Sequence, residues 1–402
     1  MDDLTASLPF WEGFVVEDIA LVDGQVRIRL RPDSRQPARC AGCATSDLPA
    51  HEYVERRIRD LPMLGHAVTL QVTLRRLTCP HCGQRVEAVN WLDRHSRVTR
   101  RLAQQAAYWC TQLPTAHVAA MFDLHWSTVR RLDQHRLEAT LAALPPATPR
   151  RLVMDEFALH KGHRYASVVL DADTRQVLWI GEGRSRASVR PFFEALGAKG
   201  CDRIEAVAMD MNTAFDLEVR KHCSRARIVY DLFHVIAKYG REVISRVRVD
   251  TANRLRHDKP ARRVVKRSHW LLLRNPEHIR AASQQLQLKE VLEANSALMT
   301  VYVMKAQLKD LWNAPSAWAW RRAWRQWHRH AAESGIPAMA HFAKCLRGYW
   351  RGILARVRWP MHTGQLEGIN NRIKVIKRMA YGFYDDVYFF LKIRAAFPGN
   401  PG

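Results

Sequence analysis

Apolar and charged residues alternate strictly over Val26, Ile28 and Leu30, with Arg27, Arg29 and Arg31 between them. A period of two marks a strand with one buried face. Asp23-Gly24, just before it, is a two-residue turn signal, so 14–31 predicts a hairpin. Val68, Leu70, Val72 and Leu74 alternate in the same way and predict another strand. The first 96 residues therefore read as a small β-rich module. Over 97–142 the pattern turns helical. Pro114 can open one short helix, and Ser127 can cap another that carries Val129, Leu132 and Arg136. The prolines at 145, 146 and 149 break regular structure and make 143–150 a linker.

From 151 the period changes again. Residues 152–157, 166–170 and 177–180 are short runs rich in strand formers, with Gly162 and Asp173 in the turns between them. Ser188, Phe192 and Leu196 recur at helical spacing, and Gly197 stops that helix. A strand (204–209), a helix (213–222) and a strand (226–232) follow. The order βββαβαβ predicts an α/β fold with a mixed sheet covered by helices on both faces, a ribonuclease-H-like core in 151–234. Residues 235–360 are basic and show no strand pattern, which predicts an all-α insertion. A final helix over about 364–380, after His362-Thr363-Gly364, returns the chain to the core within 361–402.

Length and charge narrow the function. The 402 residues suffice for two or three domains, and a hydrophobic content of 47% excludes a disordered chain. Lys and Arg number 63 against 39 Asp and Glu, a formal charge of +24. Such self-repulsion points to a polyanionic partner. No apolar run is long enough to span a bilayer. Met1-Asp2-Asp3 lacks the basic-then-apolar layout of a signal peptide. The expectation is a soluble intracellular protein with no membrane partner that acts on nucleic acid.

In a reducing compartment, paired CxxC spacing argues for metal, not disulfides. Cys40/Cys43 and Cys79/Cys82 predict a closed four-thiolate zinc site, structural because no coordination position stays open. Four buried or redox-active cysteines are the competing reading. His81 reads as a surface residue, and Cys110, Cys201, Cys223 and Cys345 as core cysteines.

Two acids end apolar runs: Asp155 after Leu152-Val153-Met154, and Asp210 after Ala206-Val207-Ala208-Met209. Carboxylates brought together at adjacent strand ends repel unless a cation sits between them. Hard oxygen ligands suit magnesium or manganese, and two such ions can serve phosphodiester chemistry. A third acid from a neighbouring helix would complete the set. Glu367 shares a helical stripe with Asn371, Lys374 and Arg378, opposite a packing stripe of Ile369, Ile373 and Ile376. Spacing alone is equally satisfied by ordinary strand-end acids and a surface glutamate. Glu156, by strand parity, should point to the opposite face from Asp155.

The segments Asp155-Glu156-Phe157, Met209-Asp210-Met211, Tyr230-Asp231-Leu232-Phe233-His234-Val235 and Leu366-Glu367-Gly368-Ile369-Asn370-Asn371-Arg372-Ile373-Lys374 occur in that order. With the tail Arg378-Met379-Ala380-Tyr381-Gly382-Phe383 they resemble the DDE-type insertion-sequence transposases of the ISL-three family. The resemblance runs nearly the whole chain, N-terminal cysteines included. It implies that Asp155, Asp210 and Glu367 are a catalytic triad holding Mg2+ or Mn2+. Asp231 and His234 resemble an accessory Asp-x-x-His element, although Asp231 could be a further ligand or a strand-end acid that orients His234. It further implies cleavage and strand transfer at terminal inverted repeats and target DNA, a homodimer in the synaptic complex, and a cytoplasmic bacterial protein that is nucleoid-associated when bound to DNA. A zinc-containing regulator without catalysis and a structure-specific nuclease of the same fold are the alternatives.

Residues 114–138 fit a helix-turn-helix with Thr115–Met121 as its first helix and 127–138 as its second, which would offer Arg130, Arg131, His135 and Arg136 to DNA. A plain helical hairpin fits the same pattern. Arg262, Arg263, Lys266 and Arg267 crowd the insertion with few acids among them, and Lys374 and Arg378 extend the basic character beyond Glu367. Trp320, Trp324 and Trp327 share one helical stripe and read as core.

Overall fold

The computed structural model describes residues 9–160, 164–361, 364–380, 383 and 385–400. The chain forms two compact units. One comprises Met1–Ala143 with Val375–Leu391, the other Leu144–Lys374 with Lys392–Gly402.

The first unit begins with a five-stranded sheet: β1 (Phe14–Val22), β2 (Gln25–Pro32), β3 (Ala50–Met63), β4 (His66–Cys79) and β5 (Gly83–Val86). The order is β1-β2-β4-β3, with β5 also on β4. β2 and β4 run parallel, with Ile28 beside Leu70 and Leu30 beside Val72; the other pairs are antiparallel. The β1–β2 turn has positive φ at Asp23 (51°) and Gly24 (74°), the conformation that matches strand twist in a two-residue hairpin. The alternation works as read: Ile28 and Leu30 are buried while Arg27, Arg29 and Arg31 face water. β3 was not visible in the apolar pattern because its inward positions include Arg56 and Asp60 beside Ile58.

Three helices follow, α1 (Arg100–Trp109), α2 (Thr115–Met121) and α3 (Trp126–Ala142). Leu102, Ala106, Val118, Ala119, Phe122 and Val129 form their shared core. Pro114 precedes α2, as expected. The cap of α3 is His125, whose ring accepts from the Ser127 N–H at 3.3 Å; Ser127 itself lies inside the helix, one position past its start. The sheet and the helices are tied by Asp60. This carboxylate is 2% exposed and accepts from Trp11 Nε1 (2.9 Å), Thr99 Oγ1 (2.6 Å), the Leu61 N–H (2.8 Å) and Arg101, whose Nε stands at 2.7 Å. Thr99 in turn caps α1 by accepting from the Leu102 N–H.

The second unit holds β6 (Arg151–His160), β7 (Arg164–Asp171), β8 (Val177–Glu182), α4 (Arg186–Arg203), β9 (Ala206–Met209), α5 (Thr213–His222) and β10 (Arg227–Tyr230). The sheet order is β10-β9-β6-β7-β8. β6, β7 and β8 pair antiparallel; β9 runs parallel to both β6 and β10. Every residue of β9 is buried, the mark of a strand covered on both faces. Gly197 breaks α4 with φ 69°, but helix resumes beyond it to Arg203. Gly162 lies outside the described residues.

Helices then take over: α6 (Leu232–Tyr239), a π-turn, α7 (Ser245–Arg254), α8 (Lys259–Arg267), α9 (His269–Leu273), α10 (Ala282–Glu293), α11 (Ser296–Asp310), α12 (Ala317–Glu333), α13 (Pro337–Leu346) and α14 (Trp350–Ala355). Among the described residues of 232–361 there is no strand. One apolar core joins these helices to the sheet, from Met154 and Val207 through Tyr239 to Trp320 and Trp327. Gly352 lets α14 lie against β10, since a Cβ there would stand 2.4 Å from the Tyr230 ring. α15 (Gly364–Met379) follows; His362 and Thr363 lie outside the described residues. The helix expected to be last is succeeded by α16 (Asp386–Ala396). No described helix is long and apolar enough to cross a membrane.

Burial alone would raise the Asp60 carboxyl, yet its bonds from Arg101, Thr99 and Leu61 win, and it titrates below its ordinary value. A depressed folded value stabilises above the unfolded pKa of about 3.9 and loses that contribution as pH falls through the folded one. Asp60→Ala should cost about 3–5 kcal/mol, because it strands a part-buried guanidinium. In thermal melts, Asp60→Asn should also remove part of the wild type's loss of stability below about pH 4.

Candidate active site and nucleic-acid interface

The parallel pairing of β6 with β9 sets Met154 opposite Met209. The next residue on each strand is an acid, so Asp155 and Asp210 emerge side by side. Asp155 Oδ1 accepts from the Glu156 N–H at 2.8 Å, and Oδ2 accepts from Asn370 Nδ2 at 3.1 Å. Asp210 accepts from the Met211 N–H, and its Oδ2 faces His234 Nδ1 at 3.4 Å. Burial pushes the Asp155 carboxyl up and the charge of Asp210 adds to it, while the Glu156 N–H, His234 and Asn370 pull the other way; the net direction is up. Among the described residues, no lysine or arginine forms an ion pair with either acid. In a chain of charge +24 that omission is informative. Two close carboxylates with no lysine or arginine paired to them make a hard, oxygen-rich donor set suited to a divalent ion.

The neighbouring residues complete the picture. Asp231, 6% exposed, starts α6 directly after β10, and its N–H donates to Met209 O at 3.3 Å, beside Asp210. His234 lies on the first turn of α6 and reaches Asp210. Glu156 takes different partners, Arg184 at 2.9 Å and Asn212 at 3.3 Å, in keeping with its strand parity. Glu367 lies on α15, and its side chain lies outside the described residues. Leu366, Ile369 and Ile373 bury one face of that helix; Asn371, Lys374 and Arg378 are exposed. Ile376, expected on the packing stripe, is only half-buried.

Asn370 was missed in the sequence. Helical phase from Glu367 points as readily to Asn370 at i+3 as to Asn371 at i+4. The structure brings Asn370 to Asp155. Its Oδ1 is buried with no hydrogen-bond partner among the described residues. An orphaned amide oxygen beside paired carboxylates fits a cation site.

The four paired cysteines converge. Their sulfurs lie within 4.8 Å of one another, with Cys43 and Cys79 at 3.4 Å. Cys79 ends β4, and the turn to β5 supplies Cys82. Gly42 donates its N–H to Cys40 Sγ at 3.3 Å, and a Cβ on Gly42 would stand 2.8 Å from Cys82 Sγ. Hydrogen bonds from the Thr45 side chain and N–H bring the Cys43 thiol down to about 6. Backbone donors aimed at sulfur favour the thiolates that zinc requires. His81 is exposed, as expected. Cys110, Cys201 and Cys223 are core residues, but Cys345 is exposed.

The basic residues fall into two groups. On α3, Arg136 is paired with buried Asp133 at 2.8 Å. Arg130 is paired with Asp385 and lies over the Tyr388 ring, while Tyr388 itself donates to Asp133 at 2.6 Å. Both arginines are thus engaged within their own unit. Arg131 and His135 are exposed, together with Trp126 and Ser127 at the start of the helix; Trp126 has no role in the sequence reading. On α8, Arg263, Lys266 and Arg267 are exposed, Arg262 is half-buried, and Val265 anchors the helix.

Three stretches of the chain match known families. Residues 152–393 match a family model described as transposase, of the ISL3 DDE type. Residues 87–137 match the helix-turn-helix domain of transposase family ISL3, and residues 36–89 the zinc-finger of the transposases of IS204, IS1001, IS1096 and IS1165. The chain is 51% identical to a transposase for insertion sequence element IS1001 from Bordetella parapertussis, over 99% of this chain and 98% of that one. It is 25% identical to a transposase for IS1557 from Mycobacterium tuberculosis, over 92% and 89%. Neither a regulator without catalysis nor a structure-specific nuclease is favoured by these matches. The chain belongs to the ISL3 family of insertion-sequence transposases: it is a DDE enzyme that cleaves DNA and transfers strands with a divalent metal, and it bears a zinc finger and a helix-turn-helix.

Proposed function

We propose that Asp155, Asp210 and Glu367 are the three catalytic carboxylates, that they sit in a ribonuclease-H-like core, and that this active site is split by the helical insertion. The observation that carries the reading is the Asn370–Asp155 hydrogen bond. Asn370 lies three residues beyond Glu367 on α15, so both belong to one helical face. The sheet order β10-β9-β6-β7-β8, with acids at the ends of its parallel centre, supports the fold assignment. The proposed division is 1–96 zinc module, 97–142 helix-turn-helix, 143–150 linker, 151–234 and 361–402 core, and 235–360 insertion.

In this reading each side chain has a defined task. Asp155, Asp210 and Glu367 hold the metal ions. When bound, the ions lower the barrier for the attacking oxygen and stabilise the leaving one. Asn370 fixes the Asp155 carboxylate through its Nδ2 and turns its free Oδ1 to the same site. His234 orients Asp210 from the side, and Asp231 supports the β10 end of the site as an accessory group. Arg262, Arg263, Lys266, Arg267, Lys374 and Arg378 neutralise DNA phosphates. The exposed start of α3, with Arg131, reads the terminal repeats of the element, and Arg130 and Arg136 hold that helix in place. Joining two ends to one target calls for a homodimer.

Asp155→Asn, Asp210→Asn and Glu367→Gln should each lower cleavage and strand transfer by about 1,000-fold or more, since a metal's charge stabilisation is worth several kcal/mol. Binding to element ends, read by gel shift, should persist. Full activity in Glu367→Gln would reject the third acid and make Asp231 the next candidate. Asn370→Ala should lower turnover by about 10- to 100-fold and raise the magnesium concentration needed for half-maximal rate; an unchanged magnesium curve would assign Asn370 a purely structural role. Cys79→Ser should release zinc, lower the melting temperature and weaken end binding, whereas protein without zinc by elemental analysis would remove this module's proposed basis.

A further inference from the structure

The tryptophan stripe of α12 divides into two groups. Trp320 and Trp327 are core, as expected, and Trp327 Nε1 donates to Met304 O at 2.9 Å. Trp324 is only partly buried. It stacks on Trp320 with centroids 4.9 Å apart and an interplanar angle of 18°. The His328 ring, one turn further on, also packs against it, with centroids 4.4 Å apart, and a cleft of about 470 Å³ beside them is lined by Trp320, Arg321, Trp324, Arg325, Arg347 and Trp350. Trp350, at the start of α14, is exposed, as are all three arginines. Among the described residues none of these guanidiniums is paired with an acid, and no acid lines the cleft. The recess therefore joins indole faces to uncompensated positive charge, wholly within the helical insertion.

We propose that this cleft binds an unpaired nucleotide of the DNA substrate, its base stacked against Trp350 with Trp324 as the floor of the recess, and its phosphates held by Arg321, Arg325 and Arg347. Aromatic faces accept any base once it has left the duplex, and guanidiniums supply the charge that tracks the backbone. Paired bases show only their edges in the grooves, so a recess with indole walls suits an extruded or terminal nucleotide. Cutting and rejoining DNA produces strand ends that can leave the duplex. The proposal rests on DNA being the substrate and is independent of which acids catalyse.

The test uses the full-length protein and fluorescence anisotropy with two labelled DNAs of one sequence, a blunt duplex and the same duplex with a short single-stranded thymidine extension. Wild type should prefer the extended DNA. Trp350→Ala should weaken binding to the extended DNA by about 5- to 160-fold, the equivalent of one lost stack, and leave the blunt duplex within about twofold. Trp350→Phe should recover most of the loss. Trp318→Ala removes an exposed tryptophan of α12 that does not line the cleft, and it should change neither affinity. Equal weakening on both DNAs would reduce the cleft to a general phosphate patch and overturn the proposal. Unchanged binding to both would overturn it too. A changed sedimentation coefficient with unchanged DNA binding would assign the cleft to a second copy of the chain.

Discussion

Like charges must be held together at the centre of this fold, and the parallel pairing of β6 with β9 does that. With Met154 opposite Met209, the following residues have no freedom to diverge, and Asp155 and Asp210 share one end of the sheet. Their repulsion costs free energy that no lysine or arginine offsets among the described residues. The buried core beneath bears that cost: β9 is wholly buried, and β6 contributes Leu152, Val153 and Met154 to the interior. A register slip would send each acid to the opposite face. Burial of the strands fixes the register, and the register brings together the two acids proposed as metal ligands.

The basic residues divide into those with acidic partners and those without. Exposed Arg263, Lys266 and Arg267 on α8 and the arginines about Trp324 have no acidic partners among the described residues. Arg130 and Arg136, also arginines on a DNA-binding element, are engaged by Asp385 and Asp133 and serve to hold α3. A basic residue on a recognition helix is therefore not by that fact a DNA contact. The C-terminal segment pairs with α3 through Asp385 and Tyr388, so residues beyond α15 contribute to the unit that holds the helix-turn-helix.

Much of this was legible in the sequence because periodicity and burial agree. The β1–β2 hairpin, the βββαβαβ order and the switch to helices after β10 follow from apolar spacing alone. The cysteine cluster was legible because close spacing within each pair leaves few geometries. What escaped were features whose logic is three-dimensional. β3 hides its buried face behind Asp60 and Arg56: Arg101, Thr99 and Trp11 make the buried Asp60 tolerable, and Arg56 donates to Ser96 O. α16 follows so closely on α15 that no break in pattern announced it. The cap of α3 passed from Ser127 to His125, a residue that caps rarely. Asn370 could not be told from Asn371 by phase, because a residue at i+3 and one at i+4 both lie over the same turn.

The central claim is that an acid beyond the insertion joins two acids before it around shared metal ions. Iron(II) substituted for magnesium, with ascorbate and peroxide, generates hydroxyl radicals at the bound metal and cuts the chain nearby. The account predicts peptide cleavage at three separated places, around Asp155, Asp210 and Glu367, all suppressed by excess magnesium and by Asp155→Asn. Cutting around the first two with none around Glu367, or cutting at Glu367 that survives Asp155→Asn, would contradict it.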